Sequence, residues 1–123
     1  MVEHKEQHKK SIRFFNDREV RAVWDDEHNK WWFSVLNIIA AINEQDDYQM
    51  TRSHWRWLKR KLTQESVELV SATHGFRFKA PDGKLRVADI LNSEGVALLA
   101  KNYPNNRAND FLDWFTYSDN TID

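Results

Sequence analysis

The sequence predicts an α+β domain, in which a small antiparallel sheet, made of N-terminal strands and a central hairpin, packs against about four helices. Residues 11–34 alternate apolar and polar side chains in short runs separated by turn residues, as strands do. Residues 35–62 instead repeat apolar side chains every three or four positions, as helices do. A Pro-Asp-Gly turn between two further alternating runs adds a hairpin. The 123 residues, 41% of them hydrophobic, suffice for one domain with its own core.

Three strands are predicted before the first helix. The middle strand alternates Val20, Ala22 and Trp24 with its other residues, which is the pattern of a half-buried strand. Short, turn-forming connections favour an antiparallel meander. The predicted strands are residues 11–15, 19–25 and 30–34.

The helices are predicted from apolar stripes and from residues that cap helix N-termini. Ser34 is expected to cap the first helix, whose buried stripe is Val35, Ile38, Ile39 and Ile42. Thr51 is expected to cap the second helix, and Thr63 begins a capping-box pattern for one more short turn. The same reasoning predicts two closing helices, which are capped by Ser93 and Asn106 and separated by a break at Pro104.

The hairpin on either side of the Pro-Asp-Gly turn carries one apolar and one cationic set of side chains. With a period of two, we expect the apolar set to face inward and the cations to share the outer face. The apolar set is Phe76, Phe78, Leu85 and Val87, and the cationic set is Arg77, Lys79, Lys84 and Arg86.

Positive charge is concentrated in the middle of a nearly neutral chain. The net charge is −1, yet residues 51–87 hold nine lysines and arginines against three acids. The net charge of that segment is therefore +6, and the net charge of the rest of the chain is −7. A protein polarised in this way can turn one face toward a polyanion.

The second helix separates its cations from its apolar stripe. At about 100° per residue, the four cations Arg52, Arg56, Lys59 and Arg60 fall on one face. Trp55, Leu58 and Leu62 form the stripe expected to enter the core. Trp57 belongs to neither group, so we expect it either to be covered by another element or to be partly exposed beside the cations.

These two basic patches predict contact with the phosphates of nucleic acid. The alternative is that both patches are solvated surface, since lysine and arginine on exposed edges also deter aggregation. The predicted nucleic-acid-binding residues are Arg52, Arg56, Trp57, Lys59, Arg60, Lys61, Arg77, Lys79, Lys84 and Arg86.

The sequence offers no catalytic constellation. It has no cysteine and no glycine-rich phosphate loop, and His4 and His8 have metal-pair spacing without a third ligand nearby. Paired aspartates such as Asp25 and Asp26 sit in predicted turns, where aspartate is favoured locally. We therefore expect no enzyme activity, no cofactor and no metal. Because no stretch suits a membrane span or a secretory signal, we also expect a soluble, cytoplasmic protein.

The order of motifs resembles the Bro-N domain, the N-terminal module of phage antirepressors and of Bro proteins from large DNA viruses. The resemblance covers residues 12–115 and rests on four segments in sequence: KWWFSVLNIIAAIN, TRSHWRWLKRKL, the hairpin and ILNSEGVALLAKNYPNNRANDFLDWF. In the last segment, Glu94 and Gly95 and then Phe111 and Trp114 match the family pattern. Ser93 is inserted where many relatives run Asn-Glu directly.

The resemblance implies a DNA-binding module of transcription regulation, with residues 11–117 as the domain. Residues 1–10 are predicted to be a flexible arm, and residues 118–123 a polar tail or a linker to a further domain. We expect double-stranded DNA as the partner. The alternatives are a protein-interaction or dimerisation module, such as an antirepressor docking on a repressor, and the N-terminal module of a longer enzyme.

Overall fold

The computed structural model describes residues 9–65 and 73–121, with side chains up to residue 117. The described residues form one five-stranded antiparallel sheet and four helices, which confirms the predicted α+β class. The strands are β1 (Lys10–Phe15), β2 (Arg18–Asp25), β3 (Lys30–Ser34), β4 (His74–Lys79) and β5 (Leu85–Asn92). The helices are α1 (Val35–Asn43), α2 (Tyr48–Gln64), α3 (Ser93–Lys101) and α4 (Ala108–Thr121).

The N-terminal strands and the hairpin form a single sheet in the order β1-β2-β3-β5-β4. The meander β1-β2-β3 was predicted, and β5 pairs with β3 over Trp32–Ser34, which leaves β4 at the edge. Since β3 ends at Ser34, the first half of β2 has no strand on that side. The first turn of α1 fills this gap, where the Arg21 backbone N–H donates to Asn37 Oδ1 at 2.9 Å.

The core lies between one face of the sheet and the helices. Phe33 and Leu91, which are directly opposite each other in β3 and β5, are fully buried, as are Leu58 and Leu62 of α2. Helix α4 docks on the sheet through edge-on aromatic contacts, with ring centroids 5.3 Å apart for Phe15 and Phe111 and 4.9 Å for Phe33 and Phe115. Burying each such side chain contributes about 1.5 to 3 kcal/mol.

Helix α1 begins and ends as its sequence directs. The Ser34 hydroxyl accepts the Asn37 N–H at 3.2 Å, so the predicted cap is confirmed. At the other end, Glu44 adopts a left-handed conformation with φ of 52° and donates its N–H to the carbonyl of Ala40. The connection to α2 is therefore very short.

Two predicted caps are wrong by a few residues. Asp47, not Thr51, caps α2 by accepting the Met50 N–H at 3.0 Å, and Thr51 is buried in the first turn with its hydroxyl donating to the Asp47 carbonyl. Asn92, not Ser93, caps α3 by accepting the Gly95 N–H at 2.9 Å. In both cases two suitable residues lie close together, and the earlier one is used.

Further boundaries differ from the predictions. Helix α4 begins at Ala108, two residues after the predicted cap Asn106, whose backbone carbonyl accepts the Asn109 N–H. Thr63 lies in the last turn of α2 instead of starting a new one, and the short turn predicted after it falls largely outside the described residues. Strand β1 starts at Lys10, within the predicted arm, and α4 continues to Thr121, into the predicted tail. No helix in the described part of the chain has the length and apolar character needed to cross a membrane.

Candidate nucleic-acid interface

Helix α2 presents the two faces that its sequence predicts. Trp55 is 6% exposed and both leucines of the stripe are fully buried, so the predicted core stripe is confirmed. Trp57 is 46% exposed, so its predicted partial exposure is confirmed. Its ring lies 5.6 Å from that of His54.

A carboxylate that the sequence reasoning missed anchors α2 to the sheet. Asp89 of β5 accepts hydrogen bonds from the Trp55 indole N–H at 2.8 Å and from Lys59 Nζ at 3.0 Å. Trp55 is buried and Lys59 is half-buried, so this shared acceptor fixes the height and rotation of the helix over β5. Asp89 also neutralises Lys59, one of the four cations on the predicted basic face.

The other cations of that face point outward. Arg56 and Arg60 are exposed, and Arg52 is half-buried with its guanidinium 5.9 Å from the Tyr48 ring. A groove of about 190 Å³ runs between this face and β5. Its lining includes Arg52, Arg56 and Lys59 on the helix side and Val87 and Asp89 on the strand side. The basic face of α2 thus adjoins the hairpin, as a shared surface requires.

The hairpin register differs from the prediction and divides the cations. Arg77 is opposite Val87, Lys79 is opposite Leu85, and Phe78 is opposite Arg86. Because directly paired residues share a face, apolar and cationic side chains are mixed on both faces. The predicted grouping of Phe76, Phe78, Leu85 and Val87 against Arg77, Lys79, Lys84 and Arg86 is wrong.

The turn explains the shift. The Ala80 N–H donates to the Lys84 carbonyl at 2.8 Å, which leaves three loop residues, and Gly83 adopts φ of 85°. This is a type I turn closed by a glycine in a left-handed conformation. The predicted grouping of side chains would instead require a loop of two residues. One added loop residue exchanges the two faces of one strand relative to the other.

As a result, only part of the hairpin charge shares a sheet face with the groove at α2. Arg77 and Lys79 are on the face of Val87 and Asp89, which α2 contacts. Arg86 is on the opposite face, where it lines a pocket with Tyr48 and Gln49 at the start of α2. It is paired with Asp82, whose pKa is lowered chiefly by the hydrogen bond from this guanidinium. Lys84 lies in the turn region, and Lys61 is paired with Glu65 on the outer side of α2. We call the remaining six the basic surface: Arg52, Arg56, Lys59, Arg60, Arg77 and Lys79.

Among the described residues, one cluster has the side chains to hold a metal ion. Asp25, Glu27 and His28 place ligand atoms within 4.8 Å of one another in the β2–β3 turn. Asp25 accepts His28 Nδ1 at 2.7 Å, the backbone N–H of Glu27 at 3.0 Å and the Trp32 indole N–H at 3.2 Å, and the first of these contributes most to lowering its pKa. These hydrogen bonds are typical of an aspartate that closes a turn and account for the cluster without an ion.

His54 occupies the flank of α2 away from the basic surface. Its ring lies 6.2 Å from that of Tyr103, and Nε2 is buried with no hydrogen-bond partner among the described residues. This burial lowers the pKa of His54, because the charged imidazolium would lose solvation there.

We expect the domain to lose stability as the pH falls below about 6.5, the usual pKa of an unfolded histidine. The unfolded chain then takes up a proton at His54 before the folded chain does, so the free energy of unfolding decreases toward the folded-state pKa. Urea denaturation from pH 7.5 to 5.5 should show a steeper decrease for the wild type than for His54→Gln. Parallel curves would mean that His54 is protonated equally in both states.

Comparison with protein-family models found no matching family, and comparison with curated proteins and with solved structures found no similar protein. The resemblance to the Bro-N domain therefore stays a prediction from the order of the sequence motifs.

Proposed function

We propose that this domain binds double-stranded DNA through its phosphates, using the basic surface of α2 and the hairpin, and acts as a regulatory module. One observation carries the proposal: five cations of the basic surface form no ion pair with any described residue. These are Arg52, Arg56, Arg60, Arg77 and Lys79, which leaves Lys59, paired with Asp89, as the sixth.

Uncompensated cations on adjacent elements repel one another unless an anion is bound. Helix α2 and the hairpin come together at the groove beside Val87, so their cations can contact phosphates of one backbone. Half or more of protein–DNA hydrogen bonds go to phosphate and sugar, and such contacts position a protein without reading sequence. The Bro-N resemblance, which implies DNA binding, adds independent support.

A protein-interaction module is the second candidate, because α2 also exposes apolar side chains. Met50 is 57% exposed and Trp57 46% exposed, and their spacing of seven residues places them on one stripe of the helix. Exposed tryptophan and methionine are enriched at protein interfaces. This stripe lies on the outward side of α2, next to the basic surface.

Paired substitutions test whether both halves of the basic surface bind the same duplex. We expect Arg56→Ala with Arg60→Ala, and separately Arg77→Ala with Lys79→Ala, each to reduce the slope of log affinity against log salt by about two, one per lost phosphate contact. Melting temperatures should stay nearly unchanged, since exposed charges contribute little to stability. Fluorescence anisotropy with a random-sequence duplex measures both slopes.

Lys101→Ala is the matched control, because Lys101 is an exposed lysine in the last turn of α3, outside the basic surface. It should leave the slope unchanged. If only the α2 pair changes the slope, the hairpin cations are solvated surface. If neither pair does, the protein-interaction candidate replaces DNA binding.

A further inference from the structure

Strand β1 forms one edge of the sheet. Among the described strands it pairs with β2 alone, from Lys10 to Phe15 and without a bulge. The connection to β2 is a two-residue turn in which Asn16 and Asp17 have φ of 52° and 65°, as a type I′ turn requires. Strand β1 therefore presents a regular outer edge to which a further strand can be added.

The turn determines which backbone groups of β1 point outward. Phe15 and Arg18 close the turn as a hydrogen-bonded pair, and along an antiparallel ladder such pairs alternate with pairs whose backbone groups point away from each other. Arg21, opposite Ile12, agrees with this phase, because its N–H points away from β1 and donates to a side chain of α1 at 2.9 Å. The N–H and C=O groups of Ile12 and Phe14 therefore lie on the outer edge.

The side chains of the same two residues are exposed. Phe14 is 60% exposed and Ile12 is 53% exposed, whereas Arg13 and Phe15, on the other face of β1, are buried. An edge strand that combines outward backbone groups with exposed apolar side chains is a template for pairing with another strand.

One antiparallel register of two β1 strands satisfies these backbone groups. In it, Ile12 of each copy lies opposite Phe14 of the other, and each of the two symmetry-related pairs exchanges both of its N–H to C=O hydrogen bonds. The same register brings an aromatic ring beside a β-branched side chain, which is a favourable cross-strand pair.

The charges near the edge suit a second copy in this register. On β2, Arg21 and Glu19 lie directly opposite the two paired residues, so each row of side chains across both copies runs from an arginine at one end to a glutamate at the other. Lys10 comes beside the turn of the second copy, where Asp17 is exposed. Neither Lys10 nor Asp17 forms an ion pair with another described residue. Unlike charges are thus brought together across the edge.

The groups on the core side of β1 leave room for a second strand. Arg13 lies at the two-fold axis of this register, but its guanidinium is 5.0 Å from the Phe33 ring and 5.7 Å from the Trp31 ring, both on β3, and so points away from the edge. Helix α4 contacts Phe33 as well as Phe15, which places it over the interior of the sheet.

We propose that two copies of the chain associate through β1, with Ile12 opposite Phe14, and so join their sheets about a two-fold axis. A two-fold interface is built from the same patch of both copies, as this register is. The paired area is small, so we expect a dimer in exchange with monomer, with a dissociation constant on the order of 100 μM. Because β1 and the hairpin lie at opposite edges of the sheet, association and binding to DNA can fail independently.

Sedimentation velocity of the whole chain over a series of loading concentrations tests the association. Phe14→Lys should raise the dissociation constant about tenfold or more, because symmetry removes the cross-strand pair twice and places a lysine on each edge. Ile12→Lys should act in the same way, and Phe14→Tyr should keep the dimer. Met50→Lys is the matched control, since Met50 is 57% exposed on α2, and it should change nothing.

Disulfide trapping tests the register, because the chain has no cysteine of its own. Directly opposite residues of a hydrogen-bonded pair have Cα atoms about 5.5 Å apart, a distance that a disulfide can span. Ile12→Cys protein mixed with Phe14→Cys protein under mild oxidation should therefore give mainly the mixed disulfide, identified by mass spectrometry of the linked peptides. Met50→Cys protein should not be trapped with either of them.

Three outcomes would overturn the proposal. The first is a wild type that stays monomeric up to about 1 mM, ten times the expected dissociation constant. The second is a dimer that Met50→Lys dissociates and Phe14→Lys leaves intact, which would assign the contact to α2. The third is a mixed disulfide no more abundant than the disulfides that each cysteine variant forms with itself.

Discussion

Replacing Trp55 with alanine is expected to lower the free energy of unfolding by about 3 to 5 kcal/mol, whereas Trp57→Ala should lower it by about 1 to 2 kcal/mol. Trp55 is 6% exposed and belongs to the core cluster, so its removal leaves a cavity between α2 and the sheet. The substitution also takes away the indole N–H that donates to Asp89, which then keeps Lys59 as its one side-chain donor among the described residues. Trp57, nearly half exposed, loses little more than its contact with the His54 ring.

Chemical denaturation measures both losses, and Trp55→Phe separates the two causes in the first. Phenylalanine keeps most of the buried ring but cannot donate to Asp89. The free energy of unfolding of Trp55→Phe should therefore lie between those of the wild type and Trp55→Ala. Equal losses for Trp55→Ala and Trp57→Ala would contradict the assignment, because they would require α2 to be covered on both sides.

The contrast between these tryptophans could be predicted because helix geometry is local. A rotation of about 100° per residue determines that Trp55 and Trp57 point in different directions, whatever the rest of the chain does. Packing then decides which of them enters the core, and the apolar neighbours Leu58 and Leu62 identify that side.

The hairpin shows why the candidate site could be predicted only in part. The Pro-Asp-Gly turn indicated a hairpin, but whether two or three residues form the loop depends on the conformation of Gly83, which the sequence alone leaves open. That single residue moves Arg86 away from Arg77 and Lys79. The predicted alternation of side chains is therefore correct within each strand, but the prediction of which side chains of the two strands share a face is wrong.

Other features depend on contacts that are distant in sequence. Asp89 forms its bonds with α2 across 30 and 34 residues, and no local pattern identifies it as the counter-charge of Lys59. Likewise, the exposure of Phe14 could not be predicted until α4 was seen to pack on Phe15, on the other face of β1. At α2, Asp47 and Thr51 are both good caps, and only the burial of Thr51 in the fold decides between them.

Binding to duplex DNA is expected to weaken about 500-fold between 50 and 200 mM salt. The five cations of the basic surface without an ion pair would neutralise about five phosphates, and log affinity then falls with log salt at a slope of about −4.5. The large effect does not conflict with the net charge of −1, because residues 51–87 carry +6 and the acids are concentrated elsewhere. The remaining −7 would be repelled by DNA and so would help to orient the basic surface toward it.

The measurement is a titration of random-sequence duplex at four or more salt concentrations, with the Arg56→Ala, Arg60→Ala variant beside the wild type. For this variant, the slope of log affinity against log salt should be shallower by about two. That difference assigns part of the counterion release to Arg56 and Arg60. Lys59→Ala should change the slope least among the α2 cations of the basic surface, because Asp89 already neutralises this lysine at 3.0 Å. Affinity that is independent of salt, or absent at 50 mM, would be incompatible with phosphate binding and would leave the exposed stripe of Met50 and Trp57 as the functional surface.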